Sequence, residues 1–149
     1  MKVPDFLFVV INPLMRLLLR SPLHGVLSDS IVLISYSGRR SGKSYSTPVR
    51  YVRMDDRIRC YSTHDTQWWR NLRDGARVRM LTSGSEHEYR TEVIENDPPR
   101  IRAALEHYFG LYPEDAVYHD VRIDRAGQPD PQQLTAAAEH AVVVEARPA

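Results

Sequence analysis

Between residues 31 and 63, three short apolar segments follow one another with only tight turns between them, and no other feature limits the fold so much. Ile31 to Tyr36 reads as a buried strand, Gly38-Arg39-Arg40-Ser41-Gly42-Lys43 as a glycine-bracketed turn, and Tyr45 to Arg53 as the returning strand. Asp55-Asp56 offers a second turn before Arg57 to Thr63, where Ile58, Cys60 and Ser62 alternate with Arg57, Arg59 and Tyr61 in the period of a half-exposed strand. Strands joined this closely must pair antiparallel, because a parallel connection needs a crossover of about a dozen residues or more.

The rest of the chain continues in the same style. Trp68, Trp69 and Leu72 fall at helical spacing within Thr66 to Arg73, with Asp65 or Thr66 as cap and Asp74-Gly75 as stop. Ala76 to Thr82 and Glu86 to Glu95 form a further hairpin around Ser83-Gly84-Ser85, and Pro98-Pro99 opens a helix running to about Phe109 with Gly110 ending it. Asp124 to Gln133 is polar and rich in Pro and Gly, which reads as an exposed loop, and His140 to Ala146 supplies a closing strand. Five or six strands, about three short helices and hairpins in place of strand-helix alternation favour an α+β barrel, mainly antiparallel, over a doubly wound sheet. The 149 residues suit a single domain, with residues 1–28 as an apolar helical segment and 29–149 as the barrel with its helices.

Charge balance narrows the function. Twenty Lys and Arg against 19 Asp and Glu do not suit a chain built to neutralise nucleic-acid phosphate, so any basic function is local. The lone cysteine, Cys60, reads as a buried strand residue; it offers no disulfide or multi-cysteine metal site and fits a reducing, cytoplasmic setting. His64, His107, His119 and His140 lack the close spacing of a hydrolytic zinc site, and no Gly-x-Ser-x-Gly elbow provides a serine nucleophile.

Two clusters remain as candidate chemistry. Gly38 to Lys43 puts three positive charges on a tight turn, where exposed backbone N–H groups and basic side chains suit an anionic ligand; a solvated hairpin turn is the plainer alternative. Trp68-Trp69-Arg70-Asn71-Leu72 offers planar rings that could wall a cofactor and polar groups for its edge, or two packing residues. Adjacent tryptophans cannot share one helix face, so one is expected in the core and the other over a groove.

Taken together, Gly38-Arg39-Arg40-Ser41-Gly42-Lys43, Thr47-Pro48-Val49-Arg50-Tyr51 and Trp68-Trp69-Arg70-Asn71-Leu72 resemble, in order and spacing, the deazaflavin-dependent nitroreductase and quinone reductase family. The resemblance spans residues 30 to 95. It implies a split β-barrel of the FMN-binding, pyridoxamine phosphate oxidase-like kind, with coenzyme F420, a deazaflavin whose lactyl-phosphate tail carries glutamates. FMN is the alternative cofactor, and a non-catalytic module holding flavin, deazaflavin or haem is the alternative function. By the same resemblance, Arg39, Arg40, Ser41 and Lys43 meet the acidic tail, while Pro48, Val49 and Arg50 lie along the ring. Ser62, Thr63, Trp68 and Asn71 complete the cofactor site, and Tyr112 and Tyr118 contribute to the acceptor pocket. The implied reaction passes hydride from the reduced ring to a quinone, nitroaromatic or activated alkene, so no side-chain acid or base need be encoded.

The chain departs from the family pattern after Thr63. Members often carry a longer Gly-containing segment there with a basic residue for the cofactor phosphate; here the positions are His64-Asp65-Thr66-Gln67, and an aspartate beside a phosphate is repulsive. Arg50, Arg70 and Arg73 are candidates to compensate. At the N-terminus, Phe6 to Ile11 and the leucines after it are too short to span a bilayer; the segment either covers a barrel end or lies on a membrane surface, with Lys2, Arg16 and Arg20 at the headgroups. The sequence leaves the oligomeric state open between monomer and dimer.

Overall fold

A computed structural model describes residues 31–82 and 84–149; the expected N-terminal helical segment, residues 1–28, lies outside them. Six strands form a closed barrel: β1 (Ile31–Ser37), β2 (Ser44–Met54), β3 (Arg57–Thr63), β4 (Arg77–Thr82), β5 (Ser85–Ile94) and β6 (Ala141–Pro148). Their order around the barrel is β1-β2-β3-β6-β5-β4, with β4 closing on β1, and every pairing is antiparallel. Closure leaves no sheet edge unpaired. The three hairpins expected from the turns are present, and β6, reached through the C-terminal helices, inserts between β3 and β5.

Strand alternation sorts the side chains into two cores. Inward positions such as Val32, Ile34, Tyr51, Ile58, Cys60, Met80, Val142 and Val144 fill the barrel, with Trp69 and Leu72 inserted among them. Outward positions of β2, β3, β5 and β6, among them Val52, Tyr61, Ile94 and Val143, face two helices, α1 (Pro98–Leu111) and α2 (Pro131–His140). Tyr61 therefore departs from the half-exposed expectation: its ring stacks on Tyr108 of α1 with centroids 4.1 Å apart and its hydroxyl donates to the Ala104 carbonyl at 3.2 Å. Burial pushes its phenol up to about 12. The alternation was right; the outer face of β3 simply has a helix on it.

The helices differ from expectation in three places. Gly110 lies within α1, which ends only where Tyr112 leaves the helical conformation and returns its N–H to the Tyr108 carbonyl at 2.8 Å. Pro131 to Gln133, expected in a loop, are the first turn of α2: Asp130 caps it by accepting the Gln133 N–H at 2.9 Å, with Pro131 in the position where its missing N–H costs nothing. His140 is its last residue, so the closing strand starts at Ala141. The tryptophan segment is a 3₁₀ helix, Trp68–Leu72, preceded by Gln67 without a side-chain cap. Thr66 turns back instead and donates its hydroxyl to the Thr63 carbonyl at 3.0 Å.

Candidate functional site

The Gly38–Lys43 turn is closed by its own backbone. The Gly38 N–H donates to the Lys43 carbonyl at 2.8 Å, the Gly42 N–H to the Gly38 carbonyl at 3.0 Å, and the Lys43 N–H to Ser41 Oγ at 3.2 Å. A Cβ on residue 38 would lie 2.8 Å from Ser41 Oγ and 2.9 Å from the Tyr45 ring, so glycine is what allows the turn to fold this tightly. The result is a loop that directs Arg39 and Arg40 outward. Among the described residues, no protein acceptor takes the Arg40 or Ser41 N–H.

Opposite stands the 3₁₀ helix. With about three residues per turn, its two tryptophans point apart. Trp69 is fully buried and donates Nε1–H to the Thr63 carbonyl at 2.9 Å; Trp68 is half-buried and donates Nε1–H to Ser62 Oγ at 3.1 Å, itself 2.6 Å from Thr66 Oγ1. One tryptophan in the core and one at a groove is the arrangement their adjacency required.

Between turn and helix lies a groove of about 920 Å³. Arg39, Arg40, Arg70 and Arg73 line it together with Tyr36, Tyr45 and Trp68, and its remaining lining contains Ser and Thr hydroxyls and the Asn71 and Gln67 amides but, among the described residues, no carboxylate. Arg73 is paired bidentately to Glu95, at 2.8 Å for both bonds, and this hydrogen bonding draws the Glu95 carboxyl below its usual range. Arg39, Arg40 and Arg70 form no ion pair among the described residues, although the charge of Arg70 helps hold the Glu95 carboxyl down. The aromatic side is ordered too: Tyr36 and Tyr45 stack with centroids 5.8 Å apart, and the Tyr36 hydroxyl sits 3.2 Å from Thr47 Oγ1, its pKa raised by burial.

The structure thus brings together Arg39, Arg40, Ser41, Trp68 and Asn71 of the expected cofactor residues with Arg70 and Arg73, two of the three arginines named as candidates to compensate, and adds Tyr36, Tyr45 and Thr47. Lys43 is exposed at the end of the turn, outside the groove lining, and Pro48 and Val49 are buried. Ser62 stands behind Trp68, and Thr63 lines a separate small cavity of about 170 Å³ with His119 and His140. Asp65 pairs with His140 Nε2 at 3.1 Å and does not line the groove, so the expected repulsion of a groove phosphate is not built in.

Arg50 and the two tyrosines form another assembly. The Arg50 guanidinium bonds both Asp115 oxygens, at 2.7 and 3.1 Å, and lies 4.4 Å from the centre of the Tyr112 ring. Asp115 also accepts the Tyr108 hydroxyl at 2.6 Å. Burial first, then that bond, push the Tyr108 phenol well above the ordinary tyrosine range. Asp115 belongs to a second 3₁₀ helix, Pro113–His119, which this pair fastens to β2; Tyr118 of the same helix is exposed. None of Arg50, Tyr112 and Tyr118 lines the groove.

A six-stranded antiparallel barrel flanked by helices is a split β-barrel, and here a cationic and aromatic groove lies at its wall. The chain belongs to the F420H(2)-dependent quinone reductase family, whose sequence profile matches residues 21–126. It is a deazaflavin-dependent reductase, and coenzyme F420 is the cofactor that this membership assigns. Solved structures of similar fold include one described as a domain-swapped dimer, 16% identical over 92% of this chain and 96% of its own, with a TM-score of 0.54. Another is the protein Atu2129, of unknown function, from Agrobacterium tumefaciens str. C58, 15% identical over 87% of this chain and 56% of its own, with a TM-score of 0.56. A structure described as an F420 reductase, 18% identical over 90% of this chain and 92% of its own, superposes at a TM-score of 0.46, too distant to carry further weight. Among curated proteins no sequence matches.

The residues present fit the coenzyme. Guanidinium groups without carboxylate partners and outward backbone N–H groups suit a phosphate and glutamate tail; an aromatic wall with hydroxyls and amides at its edge suits a planar ring.

Proposed function

We propose that the chain passes hydride from reduced coenzyme F420 to a small-molecule acceptor, a quinone, nitroaromatic or activated alkene. The observation that carries this reading is the groove: Arg39, Arg40 and Arg70, which form no ion pair, aromatic rings in the same lining and no acidic side chain among the described residues that line it. Arg39 and Arg40 hold the anionic tail, with Arg70 supplying the positive charge that the segment after Thr63 lacks. Trp68 forms a ring wall, kept in place by its bond to Ser62. The bound coenzyme supplies the hydride; the chain binds, orients and limits access of water, which needs no titrating residue at the reacting atoms.

The same proposal puts the protein in the cytoplasm, with a small molecule and no nucleic acid as its partner. No helix of the described residues is long and apolar enough to cross a membrane, and surface attachment through the N-terminal segment belongs to the proposal. The test is steady-state oxidation of reduced F420 by the purified protein with a panel of menaquinone analogues, nitroaromatics and enones. Turnover above the protein-free rate with at least one acceptor class is expected; no turnover with any, despite F420 binding, refutes the catalytic reading in favour of a carrier.

A further inference from the structure

Asn71 stands at the junction of the two halves of the groove. Its Oδ1 accepts the backbone N–H of Arg39 at 3.0 Å, across 32 positions of sequence, and its Nδ2 donates to the Trp68 carbonyl at 3.2 Å. The orientation of the amide follows from its partners: a backbone N–H can meet only the oxygen and a carbonyl only the nitrogen. A second strut runs parallel, from Arg39 Nη1 to the Arg70 carbonyl at 3.4 Å. The turn's own bonds, Gly38 to Lys43 and Gly42 to Gly38, close the loop on itself but do not fix where it stands relative to the tryptophan helix. Asn71 does.

We propose that Asn71 is a positioning residue, which sets the cationic turn against the Trp68 wall and so aligns tail binding with ring binding. This rests on the reading of the groove as the F420 site. The amide has one N–H left over, so the competing role is a direct bond from that N–H to the coenzyme. The two roles separate by ligand. A positioning residue acts on the phosphate and glutamate tail through Arg39 and Arg40; a direct ring contact acts on the deazaflavin whether or not a tail is attached.

The experiment has an arm without cofactor and an arm with it. In the ligand-free protein, amide hydrogen exchange followed by NMR should show the Arg39 N–H protected relative to those of Arg40 and Ser41, and this protection should be lost in Asn71→Ala but kept in Asn71→Asp, which retains the accepting oxygen. With cofactor, Asn71→Ala should weaken F420 about tenfold, the size of one hydrogen bond's net contribution, and leave the affinity for the tail-less deazaflavin riboside unchanged. In an Arg40→Ala background the same substitution should cost less than it does alone, since both act through one turn. An Arg39 amide unprotected in the wild-type protein overturns the proposal even if Asn71→Ala fails to fold. So does equal weakening of F420 and the tail-less riboside. Failure of the wild-type protein to bind F420 refutes the groove's assignment instead, and the exchange arm still decides whether Asn71 holds the turn.

Discussion

Arginines gather in two regions of this barrel and do opposite things there. On the outer wall beneath α1, Glu145 is almost fully buried and accepts from Arg59 at 2.8 and 3.0 Å, from Arg57 at 3.3 Å and from Arg100 at 3.5 Å. Burial works to raise this carboxyl's pKa, but the bond from Arg59 and the charges of Arg59, Arg100 and Arg57 prevail and hold it below the usual range. Along the groove, Arg39, Arg40 and Arg70 stand beside an open cavity and form no ion pair among the described residues. A cation already paired has its charge satisfied within the fold; a set held together without partners is complementary to an anion from outside. Position relative to a counter-charge, not basicity, separates the structural arginines from the binding ones.

Breaking the paired side should have the largest effect on stability. Glu145→Ala leaves the largely buried Arg59 without a counter-charge, while Arg57 and Arg100 keep Asp56 and Glu92, and should cost about 3 kcal/mol, in the range for losing one partner of a buried pair. Thermal unfolding should show it as a clear drop in Tm, while F420 affinity stays at the wild-type value. A smaller effect on the same wall comes from alkali. Tyr61 is neutral in the fold with its pKa raised from 10.0 to about 12, so the stability it contributes is fully present below pH 10 and is lost as pH rises toward 12. Two pKa units correspond to about 3 kcal/mol. Denaturant titrations at pH 9 and pH 11.5 check this; Tyr61→Phe, which removes one ionising group, should make that part of the profile shallower, the remaining slope coming from Tyr108, whose phenol is raised as well.

The same comparison explains what could be read in the sequence. The hairpins were legible because turn residues and period-two alternation are local signals, and the three linked motifs pointed to the groove's two sides. Arg39, Arg40 and Arg50 looked alike as sequence, since each is a basic residue next to a recognisable motif. Only the fold shows that Arg50 meets Asp115, 65 positions away, whereas Arg39 and Arg40 line the groove and form no ion pair among the described residues. Tyr36 and Tyr45 were missed as groove residues although they flank the glycine turn on either strand; read as strand positions, they carried no sign of facing a cavity. The start of α2 carried a local signal, Asp130-Pro131, which the polar, proline- and glycine-rich surroundings obscured. Burial of Tyr61 had no local signal at all, because it depends on α1 packing over β3.

Arg39 and Arg40, which form no ion pair among the described residues, are proposed to bind the anionic deazaflavin tail. This role is tested most directly by titrating the purified protein with oxidised coenzyme F420, following cofactor fluorescence, beside the Arg39→Ala/Arg40→Ala variant and beside FMN. Saturable F420 binding that weakens as salt is raised is expected, with about a hundredfold loss in the double variant, two charge-assisted contacts at roughly 1.5 kcal/mol each, and no change in Tm. F420 binding that is indifferent to both arginines, or saturable binding of FMN alone, would contradict this role.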